Sequence, residues 1–149
     1  MRAVLTRVSE ASVRVGDELV GAIGAGLLVL LGVARDDDES DARTIAEKIL
    51  GLRIWNDENG KMNLDIRQGG GAVLLISQFT LLGDARSGKR PSFIAAAPGE
   101  QALALYERVG ALLEGSSLRV AYGRFGATMA VASVNDGPVT ILLDSRRLF

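Results

Sequence analysis

The longest apolar run of the chain, residues 25–34, constrains the possible folds more than any other feature. Leucine and valine dominate it, and Gly26 and Gly32 interrupt it. Its length is about half of what a helix needs to cross a bilayer, so it does not predict a transmembrane segment. Nearly continuous Leu and Val runs are typical of strands that are buried on both faces. We therefore predict a central strand over residues 26–34.

Further short strands are predicted on both sides of this run. Apolar residues alternate with polar ones over residues 2–15, which is typical of a half-exposed strand, and Gly16-Asp17 then favours a turn. Residues 53–55 and 61–66 flank a turn-rich segment and are predicted to form a hairpin. The glycines at 69–71 are interpreted as a flexible connection, because no Gly-Lys-Ser/Thr of a phosphate loop follows them. The remaining predicted strands cover residues 19–23, 72–78, 118–122, 128–134 and 139–143.

Two segments carry helical periodicity. The first has apolar residues at spacings of three and four, and the second begins at Pro98-Gly99-Glu100 and ends at Gly115. An acidic run, residues 36–38, precedes the first helix, where negative charge suits the helix dipole. We interpret this run as capping residues rather than metal ligands. The periodic apolar positions of the first helix are Ala42, Ile45, Ala46, Ile49 and Leu52.

The order of these elements is β-β-β-α-β-β-β-α-β-β-β, without an internal repeat or a linker. Strands and helices do not alternate, which argues against a doubly wound nucleotide-binding fold. The 149 residues, 48% of them hydrophobic and 23% charged, have ordinary globular composition. We predict one α/β domain over residues 1–149, a barrel-like mixed or antiparallel sheet with two main helices.

Histidine and cysteine are both absent from the sequence. This excludes disulfides, thiol nucleophiles, a Ser-His-Asp triad, a histidine general base and zinc held by histidine or thiolate. An enzyme with this sequence must use carboxylates, hydroxyls, backbone amides or its own substrate. We expect no cofactor and no metal.

The beginning of the chain carries no targeting pattern. Residues 1–7 lack a central apolar block followed by a small-residue cleavage site. We therefore expect a cytoplasmic protein that does not contact a membrane.

Electrostatic attraction of nucleic acid would have to be local, because the net charge is −1. Arg86, Lys89 and Arg90 lie within the loop-like segment 83–91 and could contact a phosphate backbone. Solubility is an equally good explanation of three basic residues in a loop. Both explanations stay open.

Two segments place polar or turn-forming residues beside predicted strands. Ser77-Gln78-Phe79-Thr80-Leu81 follows the apolar residues 73–76 and marks either the point where a strand leaves the core or the beginning of a site. The residues alone favour the structural explanation. Asn135-Asp136-Gly137-Pro138-Val139-Thr140 joins two predicted strands, and its Pro after Gly makes the turn special. A cis Gly137-Pro138 bond is compatible with the sequence.

At these two motifs the sequence resembles the D-aminoacyl-tRNA deacylase family, whose members carry SQFTL and NDGPVT segments. The likeness covers nearly the whole chain and keeps the order of the family's motifs. Trp55, where relatives often have Phe, and the residues after the last strand are minor departures. The supporting segments are residues 24–33, Gly60-Lys61-Met62-Asn63-Leu64, Arg90-Pro91-Ser92-Phe93 and Phe125-Gly126-Ala127-Thr128-Met129.

The resemblance implies a homodimer that builds two sites across its interface. Each site would take the SQFTL segment from one subunit and a cis Gly-Pro pair from the other, and the catalytic positions would be Ser77, Gln78, Phe79 and Thr80. Substrate binding and chiral selection would fall to Gly137, Pro138, Leu81, Phe125 and Met129. The implied partner is the aminoacylated 3′ end of tRNA, which Arg86, Lys89 and Arg90 would contact.

The implied reaction hydrolyses D-aminoacyl-tRNA and mischarged glycyl-tRNA, releases the amino acid and tRNA, and rejects L-aminoacyl-tRNA. An aminoacyl ester is already activated, so backbone amides near Phe79 and Thr80 that stabilise the oxyanion, with a placed water or ribose hydroxyl, are sufficient in principle. Two alternatives stay open. One is a homodimer that binds the tRNA 3′ end or a small ligand without turnover, and the other is a structural dimer shaped by its Gly-Pro turn.

Overall fold

A computed structural model of the protein describes residues 1–148. In that range the chain forms eight strands, two long helices, one short helix and one 3₁₀ turn. The strands are β1 Arg2–Val15, β2 Glu18–Ile23, β3 Gly26–Gly32, β4 Trp55–Asn56, β5 Met62–Leu64, β6 Ala72–Ser77, β7 Val120–Tyr122 and β8 Ala130–Asp144. The helices are α1 Glu39–Gly51, α2 Ile66–Gly69 and α3 Gly99–Glu114, and the 3₁₀ turn is Phe79–Leu82.

Six strands form the main sheet, in the order β2-β1-β3-β6-β7, with β8 on the other edge of β1. β3 pairs antiparallel with β1 and parallel with β6, and β6 pairs parallel with β7. Side chains of β3 are buried on both faces of the sheet. The predicted central strand is therefore confirmed, although it ends at Gly32 rather than at residue 34.

The sheet curls until its two ends nearly meet. A Cβ atom on Gly21 in β2 would lie 2.6 Å from the carbonyl oxygen of Tyr122 in β7, so only glycine allows these backbones to come so close. One apolar cluster joins the sheet to α1 and α3, and a second, which includes Val13, Leu74 and Ile76, packs on the opposite face. The predicted barrel-like α/β fold with two main helices is confirmed.

The acidic run before α1 has the predicted capping role at one position. The carboxylate of Asp38 accepts hydrogen bonds from the backbone N–H groups of Ser40 and Asp41, and Asp41 completes a capping box. Asp36 instead pairs with Arg146, and Asp37 accepts a hydrogen bond from the ammonium group of Met1 at 2.7 Å. Two of the three carboxylates thus bind the ends of the chain to this region.

The segment between α1 and β6 differs from its prediction. β4 and β5 do form an antiparallel hairpin, but it begins at Trp55, and Ile66 starts α2 instead of ending a strand. The glycines at 69–71, interpreted as a flexible connection, form a closely packed turn. Gly70 caps α2 with a φ of 74°, and a Cβ atom on Gly69 would lie 2.6 Å from the ring of Trp55. A Cβ atom on Gly71 would lie 2.9 Å from Cα of Gly26, so each of the three glycines has its own local reason and flexibility is not needed to explain the run.

The two strands predicted at residues 128–134 and 139–143 are one strand, β8, that pairs with β1 along most of its length. The predicted turn between them was wrong, because β1 continues past this point and pairs with both halves. Val8 pairs with Asn135 and Thr6 pairs with Thr140, which leaves residues 136–139 opposite Arg7 alone. We call these four residues the Gly-Pro bulge.

Within residues 1–148, no helix is long and apolar enough to span a membrane.

Candidate active site

A cleft of about 360 Å³ opens where the carboxyl ends of β3 and β6 meet the start of α3. Its walls are mainly apolar, and its polar groups come from the chain that leaves β6. Among its lining residues are Leu31, Ser77, Gln78, Phe79, Ala102, Tyr106, Phe125, Met129 and Val131. The structure thus brings Ser77, Gln78 and Phe79 together with Phe125 and Met129, five of the residues singled out from the sequence.

The Ser77–Leu81 segment is the point where a buried strand turns out of the sheet. The N–H of Gln78 donates to the carbonyl of Leu31 at 2.8 Å, next to the last paired residue of β6. The N–H of Leu81 then donates back to the carbonyl of Gln78 at 3.2 Å and closes the 3₁₀ turn. Leu82 is buried and anchors the end of the turn, whereas Phe79 is 57% exposed. Residues 77–81 can therefore mark both the point where the strand leaves the core and the beginning of a site.

The 3₁₀ turn begins with backbone N–H groups that have no acceptor inside the turn. This is a general property of the start of a helical turn, and it applies here to Phe79 and Thr80. Gln78 stands at the capping position, but its side chain does not cap the turn. The N–H of Phe79, a residue that lines the cleft, is the best candidate for stabilising negative charge there, and the N–H of Thr80 follows it in the same turn.

The side chain of Gln78 is hydrogen-bonded to Thr80. Its amide nitrogen donates to the hydroxyl oxygen of Thr80 at 2.5 Å. An amide NH₂ group cannot take a proton from a hydroxyl, so this contact does not activate Thr80 as a nucleophile. Thr80 and Leu81 belong to the turn but not to the lining of the cleft.

Aromatic residues form the inner wall of the cleft. The hydroxyl of the buried Tyr106 donates to the carbonyl of Leu75 at 2.7 Å, and its ring lies 5.8 Å from that of Phe125. Burial raises the pKa of the Tyr106 hydroxyl, as does the nearby Tyr122, so Tyr106 stays neutral at physiological pH. Tyr106 therefore shapes the cleft without adding charge to it.

Gly137 and Pro138 lie outside this cleft, in the Gly-Pro bulge, and are exposed. The bond between them is cis. Gly137 has a φ of 130°, and a Cβ atom there would lie 2.7 Å from Cγ2 of Val139 and 2.9 Å from a guanidinium nitrogen of Arg7. Only glycine fits this position.

Arg7 anchors the Gly-Pro bulge and was missed in the sequence. Its side chain is 10% exposed, and its Nε donates to the carbonyl of Asp136 at 3.1 Å and lies 3.3 Å from the carboxylate of that residue. A terminal nitrogen donates to the carbonyl of Ile54 at 2.5 Å. The sequence does contain one indication of its burial. Arg7 follows Ala3 and Leu5 at the two-residue spacing of the buried face of β1.

The three basic residues of the loop before α3 are not equivalent. Arg86 makes a two-point contact with Asp84, at 2.9 and 2.6 Å, which lowers the pKa of the Asp84 carboxyl and raises the pKa of the guanidinium. Lys89 and Arg90 are exposed and make no ion pair within residues 1–148. Two of the three charges are therefore more available to a ligand than the third.

Two solved structures share the fold of this chain. The structure of c-Myc DNA Unwinding Element Binding Protein matches with a TM-score of 0.90 and 40% sequence identity, over 97% of this chain and 98% of that chain. A probable eukaryotic D-amino acid tRNA deacylase matches with a TM-score of 0.82 over 95% of this chain and 97% of that one; at 17% identity it shows the fold alone. Fold and cleft together define the class of the protein as a single-domain α/β protein with a curled sheet and a cleft at its edge.

Sequence comparison narrows this class to one family. A sequence model of the family described as D-Tyr-tRNA(Tyr) deacylase matches residues 4–144. The D-aminoacyl-tRNA deacylases of Anaeromyxobacter dehalogenans and Thermotoga petrophila are 63% and 58% identical to the chain over 149 residues, with all of each chain covered. The chain belongs to the D-Tyr-tRNA(Tyr) deacylase family, and the resemblance found in the sequence is confirmed.

Proposed function

We propose that the protein is a hydrolase that cleaves the ester between a D-amino acid and the 3′ end of tRNA. The observation that carries this proposal is the cleft beside the 3₁₀ turn, where the N–H groups of Phe79 and Thr80 have no acceptor within the turn. Family membership and the names of relatives with up to 63% identity support the same reaction. Its substrate is charged tRNA, so we expect it to act in the cytoplasm.

The proposed mechanism relies on the substrate more than on side-chain chemistry. Water attacks the ester carbonyl, either directly or after the vicinal ribose hydroxyl has attacked first and moved the ester to its own oxygen. In each attack the developing oxyanion accepts hydrogen bonds from the N–H groups of Phe79 and Thr80. The bond between the carbonyl carbon and the ribose oxygen then breaks, a proton of the water passes to that oxygen, and the amino acid and the tRNA leave. The sequence has no histidine, and this route needs none.

A second subunit would complete the site. The Gly-Pro bulge is exposed and lies outside the cleft of its own subunit, and β8 pairs only with β1 within the described residues. Val131 and Val134 on the same strand are exposed apolar residues. We infer a homodimer in which the Gly137-Pro138 pair of each subunit enters the cleft of its partner, with Leu81 next to the substrate.

The proposed selection of substrates by handedness is steric. Backbone that is held close to the α-carbon of the substrate excludes a side chain on one side, and Gly137 permits this approach while Pro138 fixes its direction. Glycine has no side chain and would pass the same filter. The proposal therefore includes D-aminoacyl and glycyl esters as substrates and excludes L-aminoacyl esters.

The decisive experiment incubates the purified protein with D-tyrosyl-tRNA, glycyl-tRNA and L-tyrosyl-tRNA and follows ester loss against buffer alone. We expect the first two to be cleaved and the third to decay at the buffer rate. Binding of tRNA without cleavage of any ester would reject the proposal in favour of a binding dimer. Efficient cleavage of L-tyrosyl-tRNA would reject the steric filter.

A further inference from the structure

The side chain of Asn135 bridges the base of the Gly-Pro bulge. Its amide oxygen accepts a hydrogen bond from the backbone N–H of Val139 at 3.1 Å, and its amide nitrogen donates to the hydroxyl of Thr140 at 3.2 Å. One side chain thus joins the residue where the bulge begins to the two residues where it ends. Strand β1 cannot replace these contacts, because only Arg7 faces the bulge.

The two ends of the bulge are held in different ways. At the entry, the guanidinium of Arg7 holds the carbonyl of Asp136 at 3.1 Å. At the exit, the side chain of Val139 is buried, and the N–H of Val139 is turned back toward Asn135. Gly137 and Pro138 lie between these two supports and are themselves exposed. Their orientation therefore depends on both ends, and Asn135 fixes the exit.

We propose that Asn135 is a positioning residue for stereochemical selection, which it serves by holding the exit of the Gly-Pro bulge. This inference rests on the proposed function, since it assigns Asn135 a role in the steric filter. Without the two hydrogen bonds, the segment from Gly137 to Val139 gains freedom to move away from the substrate. A filter made of loosely held backbone excludes an L side chain less completely, because its selectivity depends on fixed geometry.

The test uses enzyme in excess, so that a slow cleavage of L-tyrosyl-tRNA, which catalytic amounts of enzyme do not raise above the buffer rate, becomes measurable. It compares the ratio of kcat/KM for D-tyrosyl-tRNA to that for L-tyrosyl-tRNA. We expect Asn135→Ala, which loses both hydrogen bonds, to lower this ratio by about tenfold or more. Asn135→Asp keeps an acceptor for the N–H of Val139, and the hydroxyl of Thr140 can donate to its carboxylate, so its decrease should be the smallest. Thr140→Val removes one of the two hydrogen bonds, so its decrease should fall between those of Asn135→Asp and Asn135→Ala.

Asn59→Ala provides the matched control, because Asn59 is an exposed asparagine in the turn between β4 and β5. Its ratio should equal that of the unmodified protein. If Asn135→Ala lowers kcat/KM by the same factor for both esters, the ratio stays unchanged. That result would indicate a purely structural role and overturn the proposal. If Asn135→Ala does not fold, an unchanged ratio in Thr140→Val overturns it instead.

The same data separate this inference from the proposed function. If the unmodified protein does not cleave D-tyrosyl-tRNA, the proposed function itself fails. If it does cleave this ester and the variants keep the same ratio, only the role of Asn135 is rejected.

Discussion

The hydroxyl of Thr80 is the group in the motif that most resembles a nucleophile, yet its surroundings do not activate it. It accepts a hydrogen bond from the amide of Gln78 at 2.5 Å, and the sequence has no histidine to take its proton. We expect Thr80→Ala to lose less than about a hundredfold in kcat, the lower end of what a proton-transfer group contributes. Rates on D-tyrosyl-tRNA test this, and a covalent aminoacyl adduct on Thr80 detected by mass spectrometry would contradict it.

The N–H of Phe79 can be removed by substitution, which tests the proposed oxyanion site directly. Proline is tolerated at the first position of a helical turn, and the preceding residue, Gln78, lies outside the helical region, with a φ of −143° and a ψ of 76°. We expect Phe79→Pro to lower kcat by about a hundredfold or more, as loss of one oxyanion donor does in other hydrolases. Phe79→Ala keeps the N–H and controls for the lost ring. Equal losses in both variants would assign the effect to the ring.

Gly137 tolerates no side chain in the observed conformation. A Cβ atom would lie 2.7 Å from Val139 and 2.9 Å from Arg7, at a φ of 130° that other residues rarely adopt. We expect Gly137→Ala to abolish cleavage of D-tyrosyl-tRNA and to lower the free energy of unfolding by about 1–3 kcal/mol. Gly51→Ala is the control, since a Cβ atom on Gly51 has no neighbour within 4 Å. Full activity of Gly137→Ala in the deacylation assay would refute the filter.

At the scale of elements, the loop between the 3₁₀ turn and α3 carries three exposed basic residues, Arg86, Lys89 and Arg90. Arg86 is held by Asp84, so Lys89 and Arg90 are the charges more available to tRNA phosphates. We expect Lys89→Ala with Arg90→Ala to raise KM, spare kcat and reduce the slope of log KM against log salt by about 1–2. Arg86→Ala should have a smaller effect. Lys48→Ala, on α1, controls for net charge, and an unchanged slope would favour a role in solubility.

Periodicity in the sequence was enough to predict those elements in which the spacing of apolar residues matches the face that is buried. β1, β3, α1 and α3 were all predicted close to their observed bounds, because alternation or three-four spacing reflects the face that each element buries. The continuity of β8 could not be predicted in this way. Asn, Asp, Gly and Pro at 135–138 are typical turn residues, and only pairing with β1, far away in sequence, keeps the chain extended on both sides of them.

The candidate site was predictable in part for the same reason. Residues 77–81 interrupt an apolar strand, which is visible locally, and their place beside a cleft came from the family resemblance. The role of Arg7 depends on neighbours at Ile54 and Asp136, which are distant in sequence, so no local pattern identifies its partners. Asn135 was read as a turn residue, whereas its side chain holds the bulge.

At the scale of the whole molecule, the described chain keeps the two parts of the proposed site apart. The cleft includes Ser77, Gln78 and Phe79, while the Gly-Pro bulge is exposed outside it. A homodimer in which the bulge of each subunit enters the cleft of its partner would satisfy both observations, because a twofold axis makes the same contact occur twice. We expect light scattering to give the mass of a dimer at all concentrations at which the protein is active. An active monomer would contradict the shared site.

Complementation between two inactive variants gives a sharper test of the shared site. Phe79→Pro removes the proposed oxyanion donor and leaves the Gly-Pro bulge intact, whereas Gly137→Ala alters the bulge and leaves that donor intact. In a mixed dimer, one site combines the intact turn of one subunit with the intact bulge of the other, and the second site combines both defects. Co-expression with random pairing makes half of the dimers mixed, so about a quarter of the wild-type activity should return. If each subunit built its site alone, no mixture of the two variants would regain activity, and D-tyrosyl-tRNA cleavage by the co-expressed pair would stay at the level of the separate variants.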